Sequence, residues 1–284
     1  MRKTLLLFLF VSVLAAAQEP EQNEIDIILD ELFAADSLDV MQFVDEIKKQ
    51  DYLYASFMYN DKTLFSGRDF GVEQYSFFPS ISYIDSNNFF ANLSSGYFSS
   101  VRPNWDFVTF SAGYSNYIDK KKSFLATGIY SYSSFSQDVA DLNNQRLTAS
   151  ISYRKKWFRN SLTAGYLFGG NSSTFISNNT YISLAVFKSK SLNISIQPRL
   201  GLFWGTQTIT ELVSTGIRFR PFELVNKDLF QMLNTELSIP LELDFGNWDL
   251  EIEYTFSMPN ELPGEEELEN MGYVSISIGY LLGL

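Results

Sequence analysis

The chain of 284 residues contains neither cysteine nor histidine. Without cysteine there is no disulfide, no thiolate nucleophile, no sulfur metal ligand and no N-terminal cysteine for lipid attachment. Without imidazole, a Ser-His-Asp or Cys-His nucleophile and the usual zinc shell cannot be assembled. Only a carboxylate or Ser-Lys mechanism is left to an enzyme, so the expectation is no enzyme, no metal and no cofactor. Basic charge is scarce as well. Lys and Arg number 21 against 33 Asp and Glu, a formal charge of -12, whereas nucleic acid binding needs clustered cations to release counterions. Nucleic acid is therefore excluded as a partner class. The N-terminal apolar run, Leu5 to Leu14, is too short for a bilayer-spanning helix, which takes about 20 residues.

That short run reads as an address. Arg2 and Lys3 precede it, Ala15-Ala16-Ala17 follows as an A-x-A cleavage site, and Gln18 becomes the mature N-terminus. Removing residues 1–17 takes away Arg2 and Lys3, so the side-chain charge goes from -12 to -14. What the sequence has in abundance is aromatic side chains, 26 Phe, 16 Tyr and 4 Trp, with only 19% charged residues. Such a chain buries enough apolar surface to fold.

Residues 18–50 form an acidic helical segment in this reading. In Asn23 to Gln50 the apolar positions Ile25, Ile28, Leu29, Leu32 and Phe33, then Val40, Phe43, Val44 and Ile47, recur at three and four. Asp36-Ser37 divides the pattern into two short helices. Glu24, Asp26, Asp30, Glu31, Asp36, Asp39, Asp45 and Glu46 outweigh Lys48 and Lys49, leaving about -6. That sign is wrong for an anionic membrane surface, so docking on protein is expected.

From Asp51 onward the period is two. In "LNISIQPRLGLFW" Leu192, Ile194, Ile196, Pro198, Leu200, Leu202 and Trp204 share one face, and Asn193, Ser195, Gln197, Arg199 and Gly201 share the other. Twelve such segments are predicted: 52–60, 75–84, 88–100, 105–117, 122–134, 145–158, 160–169, 178–188, 191–205, 232–245, 248–259 and 271–283. The connections after even-numbered segments are short, as at 84–88, 118–122, 158–160, 188–191 and 246–247. Those after odd-numbered segments are mostly long, including 61–74, 135–144, 206–231 and 260–270. Short turns at one end and long loops at the other are what a transmembrane β-barrel shows. A soluble exported barrel or sandwich, with the apolar faces turned into a core, is the competing fold.

On the leader, the even strand number, the alternation and this loop parity, residues 51–284 resemble the transmembrane β-barrel proteins of the Gram-negative outer membrane. Many members end in Phe or Trp. This chain ends "YLLGL", with Tyr280, Leu282 and Leu284 keeping the apolar register. The resemblance implies an all-β, closed, antiparallel up-and-down barrel of about 12 strands in the cell outer membrane, with the N-terminus and short turns in the periplasm. It also implies contact with outer-membrane lipid and with the barrel-assembly machinery.

Within that frame the apolar face touches lipid and the polar face lines a lumen. Trp157, Trp204, Trp248 and Tyr280 belong to an interfacial girdle, while Trp105 faces inward by parity. A two-residue turn at Gly246-Asn247 sets Asp244 opposite Asp249 and Glu242 opposite Glu251 inside. Arg199 is expected near Glu236, and Arg154 at a depth where it reaches toward Glu242 and Glu251. With Glu253 these residues make a lumen charge cluster, either a structural salt-bridge network or an acidic constriction that prefers cations. The connection 206–231 is a constriction or an external cap. "TLFSGRDFG" is turn chemistry. "ELPGEEELE" is a solvated charge run, or a divalent bridge to lipid headgroups. The triplet "NSS" at Asn171 carries little meaning in a bacterial host. The basic turns, with Lys120, Lys121, Lys122, Lys155, Lys156, Arg159, Lys188 and Lys190, are expected to receive Asn23 to Gln50. Two function classes remain: a narrow pore or transporter for small solutes or cations, and a non-conducting barrel that anchors other envelope components.

Overall fold

The computed structural model describes residues 51–284 apart from 65–66, 69–73, 101, 137–142, 156, 171, 190, 218–219, 264 and 266–267, and for 208–226 it describes the backbone alone. The leader and the acidic segment, residues 1–50, lie outside the described residues. Fourteen hydrogen-bonded segments follow one another: β1 Tyr52–Asn60, β2 Ser76–Ile84, β3 Phe89–Phe98, β4 Trp105–Tyr117, β5 Phe124–Phe135, β6 Gln145–Lys155, β7 Phe158–Phe168, β8 Ser173–Ile182, β9 Leu184–Lys188, β10 Asn193–Ile196, β11 Arg199–Ile217, β12 Arg220–Phe245, β13 Trp248–Pro259 and β14 Met271–Gly283. Chain neighbours pair antiparallel except β8 with β9 and β10 with β11; β1 pairs with β14, β10 with β12, and β11 joins β8 to β12. The sheet is closed. β8 with β9 and β10 with β11 are two staves broken once each, which makes twelve staves in all.

The breaks have a local cause. Proline offers no backbone N–H to a ladder. Pro198 separates β10 from β11, and Pro240 stands beside it on β12, so the ladder thins to Gln197 N donating to Pro240 O at 3.3 Å and Ile182 N donating to Pro198 O at 3.1 Å. On the next stave Ser183 leaves the ladder and its N–H donates to Trp157 O at 2.9 Å.

Alternation sorts the two faces. On β5, Leu125, Thr127, Ile129 and Ser131 are buried while Phe124, Tyr130 and Tyr132 are 40–45% exposed. In a closed sheet the buried set faces in. The inward face is dominated by Ser and Thr, and the outward face by Phe, Tyr, Leu and Ile. An apolar exterior around a hydroxyl-rich interior suits hydrocarbon outside, because closure leaves no unpaired edge where it meets lipid. A polar patch interrupts the exterior: the Asn160 amide donates to Thr180 Oγ1 at 2.8 Å and to Asn178 Oδ1 at 3.2 Å, which satisfies these groups among themselves.

Two sequence expectations are corrected here. The connection 206–231 is neither a loop nor a cap, since β11 and β12 run on as a hairpin paired from Thr206↔Phe230 to Ile217↔Arg220. Its Thr, Ile and Val content favours strand, and an antiparallel pair can continue past the membrane as far as its ladder lasts. Trp105 faces outward, 53% exposed, with its ring 5.4 Å from Tyr97. The register shifts between Gly96↔Phe107 and Tyr97↔Trp105, leaving Asp106 as an extra residue, and such a bulge reverses the face of whatever precedes it.

Candidate functional site

The predicted inward carboxylates and Arg199 lie on β11 to β13, and a turn positions the hairpin that carries most of them. Gly246 adopts φ 66°, which the first position of a two-residue hairpin turn of the II′ kind requires and glycine meets without Cβ strain. The register that follows pairs Phe245 with Trp248 and Leu243 with Leu250 on the outer face, and Asp244 with Asp249 and Glu242 with Glu251 on the inner face.

Named neighbours hold Glu242, Asp244, Asp249, Arg199, Glu236 and Glu253. Glu242 Oε2 accepts from Ser195 Oγ and, at 2.8 Å, from Gln197 Nε2, and Gln197 Oε1 in turn accepts from Ser183 Oγ at 2.9 Å. This chain of side-chain bonds spans the staves whose backbone ladder Pro198 and Pro240 interrupt. Asp249 accepts from Tyr54 OH at 3.2 Å, and Asp244 accepts from Asn193 Nδ2 at 3.1 Å. Arg199 Nη2 donates to Ser238 Oγ at 2.9 Å and lies 3.5 Å from Glu236 and 3.7 Å from Glu253. Glu236 also accepts from Asn234 Nδ2 at 3.0 Å, and Glu253 from Thr255 Oγ1 at 2.7 Å. The structure thus brings Arg199, Glu236 and Glu253 together, and places Glu242, Asp244, Asp249 and Glu251 along the adjoining hairpin.

Arg154 faces in from β6, where its cross-strand partner is Arg159. Arg159 is a correction: it is not a turn residue but a buried member of β7, with its guanidinium 3.9 Å from the Tyr181 ring centroid. The stave simply begins two residues earlier than its periodicity showed. Tyr54, Tyr181, Ser195 and Gln197 were missed as parts of the site. Their inward parity was visible, but which charge each would meet depends on pairing across strands.

Of the four predicted interfacial aromatics, Trp204, Trp248 and Tyr280 stand on the outward register of their strands. Trp157 occupies the β6–β7 turn, 54% exposed, and Trp248 packs on Tyr280 with centroids 4.7 Å apart at the same short-turn end. Trp204 sits at the opposite end, paired with Ile176, and lies within the long β11 rather than at a strand end.

The long-loop end holds the features that sequence reading assigned to bland loops. Gly67, with φ 80°, lies against the side chain of inward-facing Asn234, where a Cβ would meet Oδ1 at 2.4 Å. The β1–β2 connection therefore reaches the interior. Next to it, Arg68 Nε and Nη2 donate to Glu265 at 2.8 and 3.1 Å, and Nη2 also reaches Asn260 O at 2.8 Å. Glu265 is thus a clamp residue, not one more solvated charge, and the Arg68 hydrogen bonds hold its carboxyl below the usual carboxylate range. Below this clamp, Phe78, Phe98, Phe107 and Phe135 face in from four consecutive staves with successive centroids 5.8, 6.2 and 6.3 Å apart. They form an apolar collar.

No family model matches the chain and no curated protein does. Among solved structures it is similar to the KdgM porin at 10% identity and a TM-score of 0.48, over 81% of this chain and 98% of that one. It is similar to the translocator domain of the autotransporter NalP from Neisseria meningitidis at 14% identity and 0.45, over 90% and 95%. An outer membrane channel from Pseudomonas putida F1 aligns at 9% identity and 0.47, over 83% and 97%. These likenesses are of fold. With its closed sheet, apolar exterior and polar interior, the chain is a closed antiparallel β-barrel of twelve staves, built as transmembrane barrels are.

Proposed function

We propose that the barrel is a narrow pore whose interior favours small cationic solutes, with its short turns and N-terminus on the periplasmic side of the outer membrane. The observation that carries this reading is the pairing of Asp244 with Asp249 and of Glu242 with Glu251 as direct cross-strand neighbours on the inner face. Like charges opposed at about 5 Å are destabilising unless cations or water screen them. A wall built only to hold the barrel round would be better served by the Ser and Thr pairs found elsewhere in it. A ring or wall of carboxylates in a confined passage raises the local cation concentration and sets selectivity.

A second reading, a non-conducting barrel that anchors other envelope components, is favoured by the Arg199 contacts with Glu236 and Glu253 and by the Arg68–Glu265 clamp at the long-loop end. Single-channel recording in planar bilayers separates the two. The pore passes discrete current steps with a reversal potential displaced toward the cation in a KCl gradient, and the Glu242→Gln/Glu251→Gln variant loses that displacement while still conducting. A barrel that stays silent over a wide voltage range, and whose double variant loses only its heat resistance on a gel, refutes the pore.

A further inference from the structure

β9 has an open edge. It pairs with β10 on one side, and among the described residues no strand pairs with the other. The neighbouring junctions at this end close almost flush. Ser115 N donates to Asn88 O and β4 ends at Tyr117; Arg154 N donates to Ser123 O and β6 ends at Lys155. On the broken stave Ser183 N donates to Trp157 O, yet the chain continues as strand to Lys188. The overhang carries Val186 and Phe187, 54% and 51% exposed. A free edge with apolar side chains invites another strand or segment, and its amides cannot be left facing hydrocarbon.

We propose that this edge is the docking site of the chain's own acidic segment, residues 23–50. The segment enters the barrel at this same end, because Tyr52 pairs with both Ile84 and Gly283, and Leu284 N donates to Asp51 O. It can reach. Twelve strands spaced about 4.8 Å apart and tilted about 40° enclose a barrel about 25 Å across, and an extended chain covers about 3.3 Å per residue. Charge is complementary: the segment carries eight carboxylates and two lysines. Exposed Lys155 ends β6 beside the turn that the overhang passes, exposed Lys188 ends β9, and Lys156 and Lys190 adjoin them in sequence. Chemistry is complementary too, since the stripe that includes Ile25, Ile28 and Leu29 offers an apolar face to Val186 and Phe187.

The test is amide hydrogen exchange at Ala185 to Phe187 in the intact chain, folded in detergent micelles at low salt. The proposal expects these edge amides to exchange about tenfold faster in the Lys155→Glu/Lys188→Glu variant than in the parent. The same acceleration is expected in the Asp26→Lys/Asp30→Lys variant, which leaves the barrel itself unaltered. Combining the four substitutions, which swaps the charges, restores protection. Equal exchange in all four proteins overturns the proposal. So does protection that rises with protein concentration, which would mark a second copy as the occupant.

Discussion

The wall from β1 to β7 and the wall from β8 to β13 use the same alternation to different ends. In the first, inward hydroxyls pair across strands: Ser56 with Ser80 at 2.7 Å, Thr109 with Ser133 at 2.7 Å, Ser111 with Ser131 at 2.8 Å, and Ser115 with Thr127 at 2.6 Å. Each donor finds an acceptor one strand away, so a small side chain is satisfied without crossing the interior. In the first wall the inward charges Arg154 and Arg159 are cross-strand neighbours of each other, whereas in the second, carboxylates, amides and Arg199 join the hydroxyls with partners on several strands, and the backbone ladder is interrupted at Ser183 and Pro198. The difference shows where a barrel can hold charge. A hydroxyl zipper is a self-contained pair, whereas a desolvated charge needs a network wide enough to supply several partners.

The largest effect expected to break this contrast is Arg199→Met. It leaves Glu236 and Glu253 without their shared cation, and should cost about 3 kcal/mol, read as a lower urea midpoint for the folded band on a gel. Next is Gly96→Leu in the hydroxyl-lined wall. The Phe107 ring lies over Gly96, where a Cβ would meet Cε1 at 2.4 Å, so a side chain there should cost about 2 kcal/mol by overpacking. Smaller still is Ser111→Ala, which strands the Ser131 hydroxyl and should cost about 1 kcal/mol. Adding Ser131→Ala should recover most of that loss. A double-mutant cycle showing simple additivity would mean the hydroxyl pairs do not act as units.

The smallest effect is pH-dependent. Glu265 has its carboxyl lowered in the folded protein by Arg68, so the clamp contributes stability above the ordinary glutamate value of about 4.3 and loses it as pH falls through the lower folded value. Because the pair is partly exposed, the contribution should stay below about 1 kcal/mol. Comparing the parent with Glu265→Gln across this range should show a small stability gap at neutral pH that closes on acidification.

Much of this was legible in the chain. Most strand positions, the face of most strand residues and the register of the β12–β13 hairpin follow from a period of two and a Gly-Asn turn, because neighbouring side chains in a strand must point to opposite faces. Trp105 was misplaced because a bulge belongs to the pair of strands and not to either one alone. Arg159 was assigned to a turn because Lys155 and Lys156 precede it, although its stacking on Tyr181 of β8 makes it an interior residue. The hairpin beyond Thr206 is not legible in the chain, since the strand has already reached a length sufficient to cross and its continuation depends on the pairing of β11 with β12.

By itself the sequence determined the closed barrel, its apolar exterior and hydroxyl-rich interior, and the short-turn and long-loop ends, since these rest on local alternation and turn chemistry that each stretch of chain expresses alone. Which carboxylate meets Tyr54, Gln197 or Arg199, how the β1–β2 connection reaches Asn234, and why β9 is left with an open edge were decided by closure and stagger. Those contacts join staves far apart in the chain, and only the shift between strands, a property of the whole ring, brings their side chains to one level.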